Sequence, residues 1–280
     1  MMPKPSLEFD ALGTHWWIEL PENSDVEDIK GTLLNHVSSF ENNYSRFLPN
    51  SYIGRLNTDK KLLGPSRELL DMLIFAQQMY MVSKGIFNIS VGGTLARFGY
   101  GKSKTNAKLK MEFWDHIIMT EQVIRMPDDI ELDFGGFGKG WLIDKLATLL
   151  EKEGCHYFVI NGGGDIFVKS DVPVELALEH PLDDSLKIGT TRINHGALAV
   201  SSSVKRSWKQ GMKKHHHLID PRRGESSDSP IIATYVRADT ALIADTMATI
   251  LLIAPELRDS LTNQYNLQTI LLNKEMSIKS

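Results

Sequence analysis

Apolar positions along the chain change period several times, and each change marks an element. Strand-forming residues surround the tryptophan pair between Leu12 and Leu20, so this run reads as a half-buried strand. Asp25 to Phe40 then follows a helical period, with Ser24 or Asp25 at its N-cap. From Glu41 to Asn57 the regularity breaks. That stretch holds Tyr44, Ser45, Arg46, Phe47, Pro49 and Asn50, a mixture of aromatic, basic and turn residues that suits a ligand-facing loop. A second helix opens at Ser66, with Leu69, Leu70, Leu73, Ile74 and Gln77 at helical spacing and Gly85 at its stop. Short apolar runs read as strands at His116 to Met119, Val123 to Met126 and Ile130 to Phe134. A third helix carries Leu142, Ile143, Leu146, Leu149 and Leu150 on its inner face and ends at Gly154.

Beyond Asp165 strands dominate, near Ile166 to Val168, Val174 to Glu179, Leu198 to Ser201, His216 to Ile219 and Ile231 to Val236, and helices return only after Asp239. Consecutive strands between separated helices favour an α+β fold, a largely antiparallel sheet with packed helices, over a regular doubly wound sheet. No low-complexity linker interrupts the chain, so residues 1–280 read as a single domain.

A length of 280 residues is enough to bury a sizeable core. The net charge of −4 and the scatter of the basic residues, apart from short groups such as Lys213 and Lys214, argue against a nucleic-acid partner. Cys155 is the sole cysteine, which excludes an internal disulfide and a cysteine-based metal cluster. The N-terminal residues lack an apolar signal core and a lipid-accepting cysteine, and no later run reaches membrane-spanning length. As written, the chain is therefore expected to be cytoplasmic and without a transmembrane segment.

Chemistry concentrates in a few places. Leu132 to Asp144 sets four glycines and Lys139 between an apolar run and a helix. Glycines let backbone N–H groups approach an anion, the helix start adds partial positive charge, and the lysine adds a full one. The run satisfies neither the dinucleotide fingerprint nor the P-loop pattern. A second cluster, Asn161-Gly-Gly-Gly-Asp165, follows one helix and one strand later, so two close-approach loops are expected to meet at one sheet edge beside a phosphorylated ligand.

On the late helix, Asp245 and Thr249 stand four residues apart on one face of a strongly apolar element. A buried carboxylate needs a cation, an arginine or a ring of donors as partner. Carboxylate, hydroxyl and backbone carbonyl also form a hard-oxygen set suited to Mg²⁺ on a diphosphate; the alternative is an aspartate that only bonds a neighbouring loop. Three adjacent histidines, His215 to His217, lead into a Pro-Arg turn. Neighbours on a strand face opposite ways, so the three cannot form a metal site together, and His217, which shares its face with Ile219, is the candidate to accept a proton from a reacting hydroxyl.

Taken together these motifs resemble those of the ApbE-type FAD:protein FMN transferases, the flavin transferases. The resemblance rests on Leu12-Gly-Thr14, Tyr44-Ser-Arg-Phe47 with Ser51 and Leu56-Asn57, Gly85-Ile-Phe-Asn88 with Val91-Gly92, Leu132 to Asp144, Asn161 to Ile166, His217-Leu-Ile-Asp-Pro221 with Gly224, and Ala244-Asp245 with Thr249. It implies an α+β fold of the T-fold type, FAD as substrate, Mg²⁺ on its diphosphate, and transfer of FMN to a threonine hydroxyl of an acceptor flavoprotein with release of AMP. It also implies metal ligation by the Gly136 carbonyl and the Asp245 and Thr249 side chains. Flavin contacts would fall on Leu12, Phe47, Ile86, Phe87, Asn88, Asp133, Lys139 and Ile219, and His217 would accept a proton or orient a phosphate.

Three positions depart from the family pattern. Asn88 stands where aspartate is usual, Val200-Ser-Ser-Ser-Val204 replaces a Thr-Ser-Gly-x-Tyr run, and Arg223 replaces a threonine. Members are also commonly exported. Two other readings share these residues: an Mg²⁺-dependent FAD pyrophosphatase that gives FMN and AMP, and an FAD-binding protein without turnover.

Overall fold

The computed structural model describes residues 5–21, 26–101, 105 and 107–278. Alternating apolar residues in the strand segments assemble one seven-stranded sheet. Its strands are β1 (Ser6–Ala11), β2 (Thr14–Glu19), β3 (Phe158–Gly162), β4 (Asp165–Glu179), β5 (Lys187–Ser202), β6 (Ile231–Ala238) and β7 (Gln268–Asn273), side by side in chain order. Every neighbouring pair is antiparallel. The α+β expectation is met.

Period-two alternation gives the sheet two apolar faces. Ile18 lies opposite Ile160, and Ile160 opposite Phe167, on the face that joins the large helical core. Val159 and Val168, one residue away, point into a smaller cluster with Leu176, Ile193 and Tyr235.

The helices are α1 (Val26–Tyr44), α2 (Tyr52–Asp59), α3 (Arg67–Val82), α4 (Gly92–Arg97), α5 (Gly138–Lys152), α6 (Ala241–Ile253) and α7 (Arg258–Tyr265). Helix α6 packs on β5 and β6, and α5 packs on α6. Two residues of the glycine-rich run explain that contact. A Cβ at Gly140 would stand 2.5 Å from the Ala241 carbonyl oxygen, so only glycine allows the close approach. Asp144 accepts hydrogen bonds from the N–H groups of Ala241 (2.8 Å) and Leu242 (2.9 Å), satisfying otherwise open donors at the start of α6. Among the described residues no helix is long and apolar enough to cross a membrane.

Several elements differ from the sequence reading. Ser24 and Asp25, the expected caps of α1, lie outside the described residues. The expected loop from Glu41 to Asn57 is mostly helical: α1 runs on to Tyr44 and α2 starts at Tyr52. Ser51 sets that start by accepting from the Gly54 N–H at 2.8 Å. Ile130 to Phe134 makes one isolated bridge, Val91 with Glu131, instead of a strand. The expected strand at His216 to Ile219 is divided, since Lys213–His216 and Ile219–Asp220 belong to separate small hairpins. The reading also passed over β1, β7 and the polar first half of β5.

Candidate active site

A cleft of about 1090 Å³ opens where the glycine loop before α5, the β3–β4 turn, the end of β5 and helix α6 converge. Leu12, Phe47, Ile86, Phe87, Asn88, Asp133, Gly136, Lys139, His217, Ile219, Asp245 and Thr249 all line it. Residues as far apart in the chain as Leu12 and Thr249 thus share one surface.

One end is polar and built on regular elements. The Lys139 ammonium is ion-paired with the Asp165 carboxylate and lies 3.6 Å from Asp245. Asp245 also accepts from the Gly140 N–H at 3.0 Å, and Asp165 from the Val200 N–H at 3.2 Å. The partner that the helical carboxylate required is therefore a lysine together with a backbone donor. Burial raises the Asp245 carboxyl above the usual carboxylate range, the Asp165 charge adds to the rise, and Lys139 opposes it. Burial works against the Lys139 charge, but the two carboxylates outweigh it and keep the ammonium protonated.

Thr249 lies one helical turn beyond Asp245, and its hydroxyl is 3.2 Å from that of Ser201 on β5. Gly136 runs beside it, since a Cβ there would come 3.9 Å from Thr249 Cγ2 and 3.3 Å from the Phe87 ring. A buried carboxylate, hydroxyls and a backbone carbonyl are hard-oxygen donors that fit Mg²⁺. Among the described residues no group of three or more His, Cys, Asp or Glu could hold a metal alone, so an ion here would draw further ligands from water or a bound phosphate, as Mg²⁺ commonly does.

His217 faces the cleft from the short span between the two small hairpins. Its Nδ1 lies 3.5 Å from the Arg206 carbonyl, so a proton on Nδ1 leaves Nε2 free to accept. Burial, with the neighbouring Arg206 charge, pushes its pKa down to about 3, and the ring is neutral at physiological pH. The other two histidines are occupied. His215 is buried and stacked on Phe98 at 4.2 Å, while His216 Nε2 sits 2.9 Å from the Ser227 carbonyl.

The opposite end is aromatic and built on connecting segments. Phe47 is 54% exposed, which leaves its ring free to take a ligand. The Arg46 guanidinium lies 4.4 Å from its centroid, forms an ion pair with Asp133 and donates to the Tyr100 carbonyl at 2.8 Å. Tyr100 stacks on Trp208 at 5.2 Å. Leu12 enters the cleft from a left-handed turn at φ 50°, with its N–H directed to the Glu41 carboxylate at 3.3 Å. Ile86, Phe87 and Ile219 are buried and form the floor.

Asn88 explains one departure from the family pattern. Its amide nitrogen donates to the Lys110 carbonyl at 3.0 Å, and its oxygen accepts from the Ser90 N–H at 2.9 Å. The donor half of that clamp is one an ionised aspartate could not supply.

Asp165, Arg46, Tyr100, Ser201, Arg206 and Trp208 also line the cleft or hold its lining; the sequence placed Arg46 in a ligand-facing stretch and Asp165 in the second glycine cluster, but assigned none of the six an individual contact. Asp165 closes the second glycine cluster and Tyr100 sits between Gly99 and Gly101, both of them signals of a ligand-facing turn.

Comparison with known proteins is consistent across the chain. The sequence profile of the ApbE family matches residues 12–271. The FAD:protein FMN transferase of Escherichia coli K12 is 23% identical over 295 aligned positions, covering 96% of this chain and 84% of the relative. That of Chlamydia trachomatis serovar D is 27% identical over 241 positions, covering 78% and 72%. The crystal structure of the ApbE protein from Thermotoga maritima superposes with a TM-score of 0.86 at 17% identity, covering 99% of this chain and 96% of that one. The flavin transferase ApbE from Vibrio cholerae gives 0.81 at 19% identity, covering 99% and 96%. With a profile match over nearly its whole length and the same fold in its structural neighbours, the chain belongs to the ApbE family.

Proposed function

We propose that this chain is an Mg²⁺-dependent FAD:protein FMN transferase, which moves FMN from FAD to a threonine hydroxyl of an acceptor protein and releases AMP. The observation that carries the reading is the cleft itself, one continuous space with aromatic rings at one end and carboxylates, hydroxyls and cations at the other. FAD has the same division, with flat rings joined through a diphosphate. The relatives compared above are FAD:protein FMN transferases, which supports the assignment.

In the proposed reaction the threonine oxygen forms a bond to the phosphorus of the FMN half, and the bond from that phosphorus to the AMP phosphate oxygen breaks. The electron pair leaves with AMP, and the hydroxyl proton passes to a base. His217 is neutral at physiological pH, so its free ring nitrogen is able to accept a hydrogen bond from the incoming hydroxyl and then its proton. Asp245, Thr249 and the Gly136 carbonyl would hold Mg²⁺, which when bound supplies charge neutralisation at the diphosphate. Lys139 and the Gly140 N–H fix the orientation of Asp245. The rest of the protein's contribution is alignment of hydroxyl and phosphorus.

The test is incubation of the protein with FAD and Mg²⁺, with and without an acceptor domain carrying a candidate threonine, followed by intact mass of the acceptor and an AMP assay. A flavin-sized mass gain matched by AMP is expected. AMP and free FMN without labelling would replace transfer by hydrolysis, and intact bound FAD across several acceptors would replace it by binding alone.

A further inference from the structure

We propose that Arg206, and not Lys139, is the cation that takes the phosphate charge of the bound ligand, while Lys139 serves as the positioning counter-ion of Asp165 and Asp245. The inference rests on the transferase reading for the identity of the ligand, and on the ion pairs of the cleft for the division of roles.

Four Lys and Arg side chains line the cleft, at Arg46, Lys139, Lys205 and Arg206. Arg46 is paired with Asp133, Lys139 with Asp165 and Asp245, and Lys205 with Glu179 and with Asp184 at 3.1 Å. Each of these charges already has its counter-charge in the protein. Arg206 does not: among the described residues no carboxylate forms an ion pair with its guanidinium, although it is half-buried in the cleft wall. Holding a charge there without a partner is unfavourable, and an anion entering the cleft removes that cost.

Its position favours the polar end. Arg206 sits in the turn between β5, which carries Ser201, and the hairpin strand Ser207–Gln210, and its carbonyl faces His217. The chain there is anchored by Ser207 Oγ, which donates to the Val204 carbonyl at 3.1 Å. A guanidinium offers a planar fork that matches two phosphate oxygens at once, which an ammonium cannot do. Lys139 lies between two carboxylates that already offset its charge, so it has less net charge to offer an incoming phosphate than Arg206.

The test compares FAD with riboflavin, which lacks the phosphates, in metal-free buffer by fluorescence titration. Wild type, Arg206→Gln, Arg206→Lys and Lys139→Gln are each measured for both ligands, alongside their thermal midpoints. Arg206→Gln should weaken FAD by at least roughly tenfold, about 1.4 kcal/mol, and leave riboflavin within about twofold. Arg206→Lys, which keeps the charge without the fork, should fall between and controls for folding. Lys139→Gln should lower the thermal midpoint and shift both ligands together. Equal losses for FAD and riboflavin in Arg206→Gln, no loss for either, or a phosphate-selective loss in Lys139→Gln would overturn this inference and leave the transferase reading standing. Failure of the wild type to bind FAD at all would overturn that reading and this inference with it.

Discussion

The two ends of the cleft are built differently. Asp245 and Thr249 lie on one face of α6, Lys139 in the first turn of α5 and Asp165 at the start of β4, so the polar end rides on elements that pack together through Gly140 and Asp144. The aromatic end takes Phe47 from the connection between α1 and α2, Tyr100 from beyond α4 and Trp208 from a two-stranded hairpin. There the Arg46 guanidinium is held by Asp133 and the Tyr100 carbonyl. Chemistry that depends on tenths of an ångström belongs on the rigid framework, and ring binding, which tolerates small shifts, can sit on loops.

If that division holds, the largest effect should come from the polar end. Asp245→Ala is expected to reduce turnover at saturating Mg²⁺ to roughly a thousandth or less, while metal-free FAD affinity changes only severalfold. Steady-state kinetics beside a fluorescence titration read both numbers, and unchanged turnover would remove Asp245 from the metal site.

His217→Ala should lower turnover roughly a hundredfold with FAD still bound, checked by AMP release under single-turnover conditions. The same residue sets a pH effect on stability. Its folded pKa of about 3 lies below the ordinary 6.5, so the unfolded chain takes up a proton that the folded chain refuses. Its stabilising contribution is complete above pH 6.5 and is lost as pH falls toward 3, by at most about 1.4 kcal/mol per pH unit. In urea melts between pH 7 and pH 4, His217→Gln should show a shallower acid decline than wild type; parallel curves would mean that the ring is not shielded as described.

Asp144→Ala should act on the framework alone. It leaves two N–H groups at the start of α6 without their acceptor, at a cost of about 1–3 kcal/mol, visible as a lower midpoint in thermal melts. The smallest effect is expected at the aromatic end, where Phe47→Ala or Trp208→Ala should weaken FAD and riboflavin equally, by about 0.5–1.5 kcal/mol each. A loss confined to FAD would place the diphosphate or adenine, and not the flavin ring, against these residues.

The same contrast governs what could be read from the sequence. Asp245 and Thr249 were legible because helical spacing alone puts them on one face of an apolar helix, and the glycine-rich run announced a close approach. That approach turned out to serve two purposes, since Gly140 admits the backbone of α6 as well as exposing an N–H. The Lys139–Asp165 pair was not legible, because its members lie on different elements and no local pattern links them. Tyr100 and Trp208 escaped for the same reason, being joined only by tertiary contact. The stretch from Glu41 to Asn57 misled through its turn-like composition, when capping by Ser51 makes much of it helical. Strands β1 and β7 lie at the sheet edges, where pairing with a neighbour adds what a weak local pattern lacks.

The central claim is that the polar end transfers FMN as the aromatic end holds it. Its most direct test counts AMP formed against acceptor flavinylated in one reaction, with wild type and Asp245→Ala side by side. One AMP per labelled acceptor for wild type, and neither product for the variant, is the predicted result. AMP in large excess over labelled acceptor, or labelling that survives Asp245→Ala, would contradict it.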